Sequence, residues 1–191
     1  MLIKPLHLFL LPLLAAPVLL RAQQDSPSPA GIPGCGNPAT KLEISTTKTP
    51  LPAAFEPSTA VVIVVEDNSN FGSAPKPTTR VGIDGQWVGA NHGNTYVRYA
   101  VDPGVHHLCA SWQPQAALGL AGITTLKKMS RRSAVTSFTA QAGSVYYFRV
   151  RNVFFDTDTS QVIEIRLDPE DPDEGQLLAN DRSLSSIKKR N

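Results

Sequence analysis

Cysteine is nearly absent from this chain: Cys35 and Cys109 are the only two among 191 residues. Two thiols cannot staple a disulfide-rich miniprotein, and alone they cannot hold a structural zinc. Charge is sparse as well, at 18% of residues, and no long block of one sign runs through the sequence. That is below the usual quarter and excludes both a coiled coil and a dedicated nucleic-acid binder. Local signatures of catalysis are missing: there is no G-x-S-x-G elbow, P-loop, H-E-x-x-H or dinucleotide fingerprint. Serines are many, but none has a local signature. The sequence therefore predicts no catalytic residue, no metal site and no cofactor. The length fits one domain with tails, or at most two small domains.

What is present begins with an address. Met1 to Ala22 has the anatomy of a secretory signal peptide: Lys4 near the start, an apolar stretch from Leu6 to Leu20, and small Ala22 at the cut. Pro5, Pro12 and Pro17 interrupt this stretch, which suits a membrane span poorly. A lipoprotein would need a cysteine directly after the apolar run, and Cys35 lies 15 residues beyond Leu20. No second apolar segment approaches spanning length. The expectation is an exported product, periplasmic or secreted, soluble after signal cleavage. Losing Lys4 and Arg21 would leave 16 basic residues (18 minus 2) against 16 acidic ones, so the mature chain is close to neutral.

Residues 23–57 are rich in Pro, Ser, Thr, Ala and Gly and read as an extended linker. Within them, Lys41 to Ser45 alternates Leu42 and Ile44 with polar neighbours and suits an edge strand. From Thr59 the signals turn to β-structure. Ala60 to Val65 is a continuous β-branched run, which implies a strand covered on both faces. Val81 to Ile83 and Gln86 to Ala90 flank Asp84-Gly85, a hairpin signal. Further strands are expected over 95–101, 105–112, 133–141, 144–151 and 161–167, separated by turns such as Asp102-Pro103-Gly104 and Ala142-Gly143. Strands spaced in this way point to a sandwich. A short helix is expected over Asp173 to Ala179, with acidic residues in its first turn, followed by a fraying basic end.

The strings Val81-Gly-Ile-Asp-Gly-Gln-Trp-Val-Gly89, Asn94-Thr-Tyr96, Val101-Asp-Pro-Gly-Val-His-His-Leu108 and Ala142-Gly-Ser-Val-Tyr-Tyr-Phe-Arg-Val150 occur in that order. This order resembles an uncharacterised family of bacterial exported and lipoprotein domains of unknown function, related in pattern to PEGA-type β-sandwiches of cell envelopes. The resemblance covers about Ala60 to Leu178. It implies an all-β fold: a single antiparallel β-sandwich of PEGA- or transthyretin-like size. It implies an envelope accessory role and carries no catalytic residues.

The expected layout is therefore a signal peptide (1–22), a linker (23–57), a sandwich domain (58–168) and an acidic loop, short helix and basic tail (169–191). In an oxidising compartment, Cys35 and Cys109 are expected to form a disulfide. Strand parity puts Leu108, Ala110 and Trp112 on one face with His106, and Cys109 on the other, where the linker can strap across. Two free thiols are the alternative. His92, His106 and His107 invite a metal reading, but neighbours on a strand point to opposite faces, and a backbone-bonded His106 is favoured instead. Asp84, Asp102, Asp156 and Asp158 suit turn capping more than calcium.

Two surfaces are candidates for a partner. The insertion from Gln113 to Ser133 carries apolar Leu118 and Leu120 beside the cations Lys127, Lys128, Arg131 and Arg132. It would dock an envelope protein or rest on an anionic membrane surface. Its alternative is a hairpin packed on the sandwich. Trp87, Tyr96 and Tyr147 are candidates for an outward aromatic platform that stacks on glycan. The functional expectation is a non-catalytic exported interaction module. A carbohydrate or cell-wall binding domain, and a hydrolase with an unrecognised site, are the alternatives.

Overall fold

The computed structural model describes residues 32–69, 76–113, 128–131, 133–156 and 161–188. The signal segment and most of the insertion lie outside these residues. Eleven strands and one helix follow in order: β1 (Ile44–Thr47), β2 (Ala60–Asp67), β3 (Thr78–Ile83), β4 (Gln86–His92), β5 (Thr95–Val101), β6 (Gly104–Trp112), β7 (Lys128–Arg131), β8 (Ser133–Ala140), β9 (Val145–Asp156), β10 (Gln161–Glu170), α1 (Pro172–Asn180) and β11 (Ser183–Ile187). They form two facing sheets, ordered β1-β11-β5-β2-β9-β10-β7 and β4-β3-β6-β8. The all-β expectation holds.

The expected antiparallel arrangement is corrected. β2 runs parallel to β9, β11 parallel to β5, and β7 parallel to β10. The larger sheet is therefore mixed: β9 and β10 are antiparallel neighbours, whereas β2 lies at its middle and reaches its parallel neighbour β9 through a long crossover. Such a central β2 is covered on both sides. Val62 and Val64 join Val81, Leu108, Phe148, Val150 and Ile165 between the sheets. Val61, Ile63 and Val65 pack outward against Tyr96, Tyr147 and Ala179. The unbroken β-branched run from Ala60 satisfies both faces at once.

Local chemistry sets the corners. Asp84 and Gly85 both adopt positive φ, at 49° and 83°, which is the geometry of a tight hairpin turn whose twist matches its strands. Asp171 caps α1, accepting a hydrogen bond from the Asp173 amide at 2.9 Å, and Pro172 occupies the first turn, where no amide partner is needed. At the other end Arg182 donates to the Leu178 carbonyl and to the Glu66 carbonyl, tying the helix terminus to the end of β2.

Two segments expected as tails belong to the body of the domain. Residues 32–57 are no free linker: Cys35 is buried, Leu51 and Phe55 pack on the outer face of β2, and β1 pairs with β11. The edge strand falls at Ile44–Thr47, slightly beyond its expected place. The chain after α1 does not fray, because β11 inserts between β1 and β5. Polar composition disguised both segments. Each contributes a paired strand, β1 or β11, while Leu51, Phe55 and Leu184 pack on the outer face of the large sheet. Among the described residues no helix is long and apolar enough to cross a membrane.

Candidate functional site

One end of the two-sheet body carries a cleft of about 260 Å³ between the β3–β4 and β5–β6 turns, lined by Thr59, Gln86, Val88, Tyr99 and His106 among others. His106 comes from the start of β6 and points toward the core side, as its parity predicts. Its Nδ1 lies 2.6 Å from Asp84 Oδ2, and its Nε2 lies 2.7 Å from the Asp102 carbonyl oxygen. Asp84 Oδ1 accepts the His107 amide at 2.8 Å. Phe138 flanks the His106 ring at 5.7 Å between centroids.

This geometry decides the protonation state. A carboxylate and a carbonyl only accept, so both ring nitrogens must donate, and His106 satisfies both partners only as imidazolium. Burial opposes the charged ring. The hydrogen bonds to Asp84 and to the Asp102 carbonyl, and the charges of both aspartates, outweigh burial and raise the pKa above 6.5. An imidazolium with both N–H groups occupied is a clamp between two turns rather than a proton acceptor. Because the folded pKa is raised, the clamp contributes fully below about pH 6.5 and is lost as pH rises through the folded value. His106→Gln should therefore lower the melting temperature at pH 5.5 and match the wild type in strongly alkaline buffer. A deficit that stays equal at every pH would show that the ring acts by packing alone.

A second constellation lies on the outer face of the small sheet. Cys35 and Cys109 are joined by a disulfide, with Cα atoms 5.1 Å apart. Parity had placed Cys109 on the outward face, and the strap over 32–40 buries it. Arg80 donates to the carbonyls of Pro38 at 2.9 Å and Thr40 at 2.8 Å, with its guanidinium 4.2 Å from the Trp87 ring centroid. Trp87 in turn donates its indole N–H to the Asn37 carbonyl at 2.8 Å. Gly34 and Gly36 admit this close passage, since a Cβ on either would meet the His107 carbonyl or the Trp87 ring.

The aromatic platform is corrected by these contacts. Trp87 is roofed by the strap. Tyr96 and Tyr147 are buried, at 1% and 8% exposure, on the outer face of the large sheet, where α1 and the segment around Thr49 cover them. A ring added to a strand's outward face stays exposed only when no further layer lies there, and here the tails supply that layer. The three side chains do not share a surface.

Of the expected interaction residues, Lys128 and Arg131 fall in β7, one of the two edge strands of the large sheet. Leu118, Leu120, Lys127 and Arg132 lie outside the described residues, as does Asp158. Asp156 ends β9. Among the described residues no three His, Cys, Asp or Glu side chains are placed to hold a metal ion. His92 sits apart, near the Thr78 hydroxyl.

Sequence reasoning passed over one residue of consequence. Glu66 is fully buried between the sheets, in a polar group that closes one end of the core. Thr79 donates to its Oε1 at 2.7 Å, while Oε2 has no hydrogen-bond partner among the described residues. Nearby, Trp112 donates to Asn152, and Asn152 donates to Asn68. Burial raises the Glu66 pKa from 4.5 to about 8, against the opposing hydrogen bonds from Thr79 and Asn68 and the charge of Lys76. The signal was legible: Ala60, Val62, Val64 and Glu66 share one parity, and the first three face the core.

Comparison with family models, with curated proteins and with solved structures found no match for this chain.

Proposed function

We propose that the chain is a non-catalytic module exported to the cell envelope or extracellular space, where it docks an acidic protein surface through the connection between β6 and β8. The observation that carries this reading is the path of the chain at that connection. It leaves the small sheet at Trp112, adds β7 to the edge of the large sheet, and re-enters the small sheet at Ser133. The described residues that bound the apolar and basic stretch thus belong to different sheets, Trp112 to the small one and Lys128 to the large one, and binding loops are carried on rigid scaffolds of this kind. The cations suit an acidic partner. A disulfide supports an oxidising compartment, and the motif order that resembles PEGA-type envelope sandwiches supports the same placement. The occupied nitrogens of His106 favour a binding role over a catalytic one at the cleft it lines.

Cross-linked capture from envelope extract tests the proposal. Wild-type protein should retain a protein that is lost both with Leu118→Asp/Leu120→Asp and with serine at Lys127, Lys128, Arg131 and Arg132. Equal capture by all three forms would overturn it. So would binding to anionic vesicles with no protein captured.

A further inference from the structure

The small sheet has two edges, β4 and β8, and among the described residues they differ. On the β4 side the sandwich is closed. Gly89 sits so close to Val97 that a Cβ would clash, Ser185 donates to the Ala90 carbonyl, and Asn91 donates to the Val64 carbonyl. On the other side stands β8. It pairs with β6 without a register shift, from Ser133 opposite Ser111 to Ala140 opposite Gly104, and no described strand lies on its far side.

Natural sheets blunt such edges with charge, proline, bulges or short strands. The other outer strands here do so. β1 and β7 have 4 residues each, and β7 carries Lys128 and Arg131. β10 is paired by β7 only around Val162 to Glu164, and its remaining stretch holds Arg166, Asp168, Pro169 and Glu170. β8 has none of these devices. Its 8 residues, Ser-Ala-Val-Thr-Ser-Phe-Thr-Ala, contain no charge, proline or glycine. Val135, Ser137 and Thr139 stand exposed in a row on its outward face, Val135 at 47%, and Val105 on the adjoining strand is 68% exposed.

We infer that two copies of the chain pair through β8, antiparallel and about a two-fold axis at Ser137, joining their small sheets into one continuous sheet. The register follows from side-chain alternation. Outward rows of both copies share a face only if the axis passes through a residue rather than between two. An axis at Ser137 sets Val135 opposite Thr139 of the second copy, a β-branched pair, and Thr136 opposite Phe138. Charge argues for self-pairing: an uncharged strand meets its own copy without repulsion, whereas β7 would bring like charges together. A second copy also supplies a strand of matched length at the protein's own concentration. This inference goes beyond the partner reading, since it concerns the purified chain alone.

Sedimentation velocity of the purified, oxidised mature protein over a wide concentration range tests it. The wild type should be a dimer. Ser137→Lys, which places two ammonium groups on the axis, should be monomeric with an unchanged far-ultraviolet circular dichroism spectrum. Val105→Lys, on the same face but away from the edge, should remain a dimer. As a check independent of that lysine, Ser137→Cys should give a covalent dimer on a non-reducing gel, because the residue meets its own copy. A wild type that stays monomeric throughout, a dimer that survives Ser137→Lys, or a Ser137→Cys protein that does not cross-link would overturn the inference. Loss of the envelope partner with the dimer intact would strike only the proposed function.

Discussion

Replacing both Cys35 and Cys109 by serine is expected to lower the melting temperature by roughly 10 °C in calorimetry under oxidising conditions. The bridge closes a loop over a sequence separation of 74 residues. Loop-closure entropy for that length contributes roughly 4 kcal/mol, and each kcal/mol moves the midpoint of a domain of this size by about 2–4 °C. The bridge also positions a strap. Gly34 lies against the His107 carbonyl, Asn37 accepts from Trp87, and Arg80 grips Pro38 and Thr40, so the strap and the outer face of the small sheet are ordered together. Release of the strap should therefore expose Trp87 to water and shift its fluorescence to longer wavelength. Buried Trp112, bonded to Asn152, should change little. A midpoint within about 2 °C of the wild type would mean that the hydrogen bonds of the strap hold it without the bridge.

Glu66→Gln is expected to stabilise the protein in alkaline buffer and to leave it unchanged near pH 4. In the unfolded chain the carboxyl ionises near 4.5, whereas in the fold it keeps its proton to about 8. Between those values the unfolded state releases a proton that the folded state retains. Stability therefore falls as pH rises from about 4.5 to about 8, and is level above that window. The total loss is on the order of 4 kcal/mol. Glutamine keeps an oxygen to accept the Thr79 hydroxyl and cannot ionise, so the variant should gain roughly 10 °C at pH 9 relative to the wild type. Chemical denaturation across the pH range would separate this effect from that of His106. The Glu66 window opens near 4.5, while the His106 contribution begins to fade only above about 6.5. A Glu66→Gln gain that was the same at pH 4 and pH 9 would point to packing rather than ionisation.

The two titrations act in one direction. Rising pH removes the charge that His106 uses to join the β3–β4 and β5–β6 turns, and forces a charge on Glu66 at the opposite end of the core. Asp67 acts in the opposite sense: burial is outweighed by hydrogen bonds from Ser69 and Arg149, which hold its pKa low, so its contribution is lost in acid.

Much of this was legible in the chain. Period-2 alternation placed Leu108, Ala110 and Trp112 inward and Cys109 outward, and it set Ile163, Ile165 and Leu167 in the core. The Asp84-Gly85 hairpin and the acidic start of α1 were readable because turns and caps depend on residues close in sequence. The chemistry of Asp84 was not. Its carboxylate meets His106, 22 positions away, and only pairing of β3 with β6 brings them together. Tyr96 and Tyr147 misled for the same reason. Alternation tells which face of a sheet a residue occupies, but not whether another layer covers that face.

The sequence by itself determined the β-rich class, the places of most strands and the inward rows, and made a disulfide the expectation for its two cysteines, since each follows from local periodicity or from a count. The tertiary structure decided which strands became neighbours, and with that the parallel pairs of the large sheet and an edge at β8 with no described strand beyond it. It also turned two polar tails into a strap and a strand. Those outcomes depend on contacts between residues far apart in the chain, where burial and backbone hydrogen bonding outweigh what any short stretch of residues prefers.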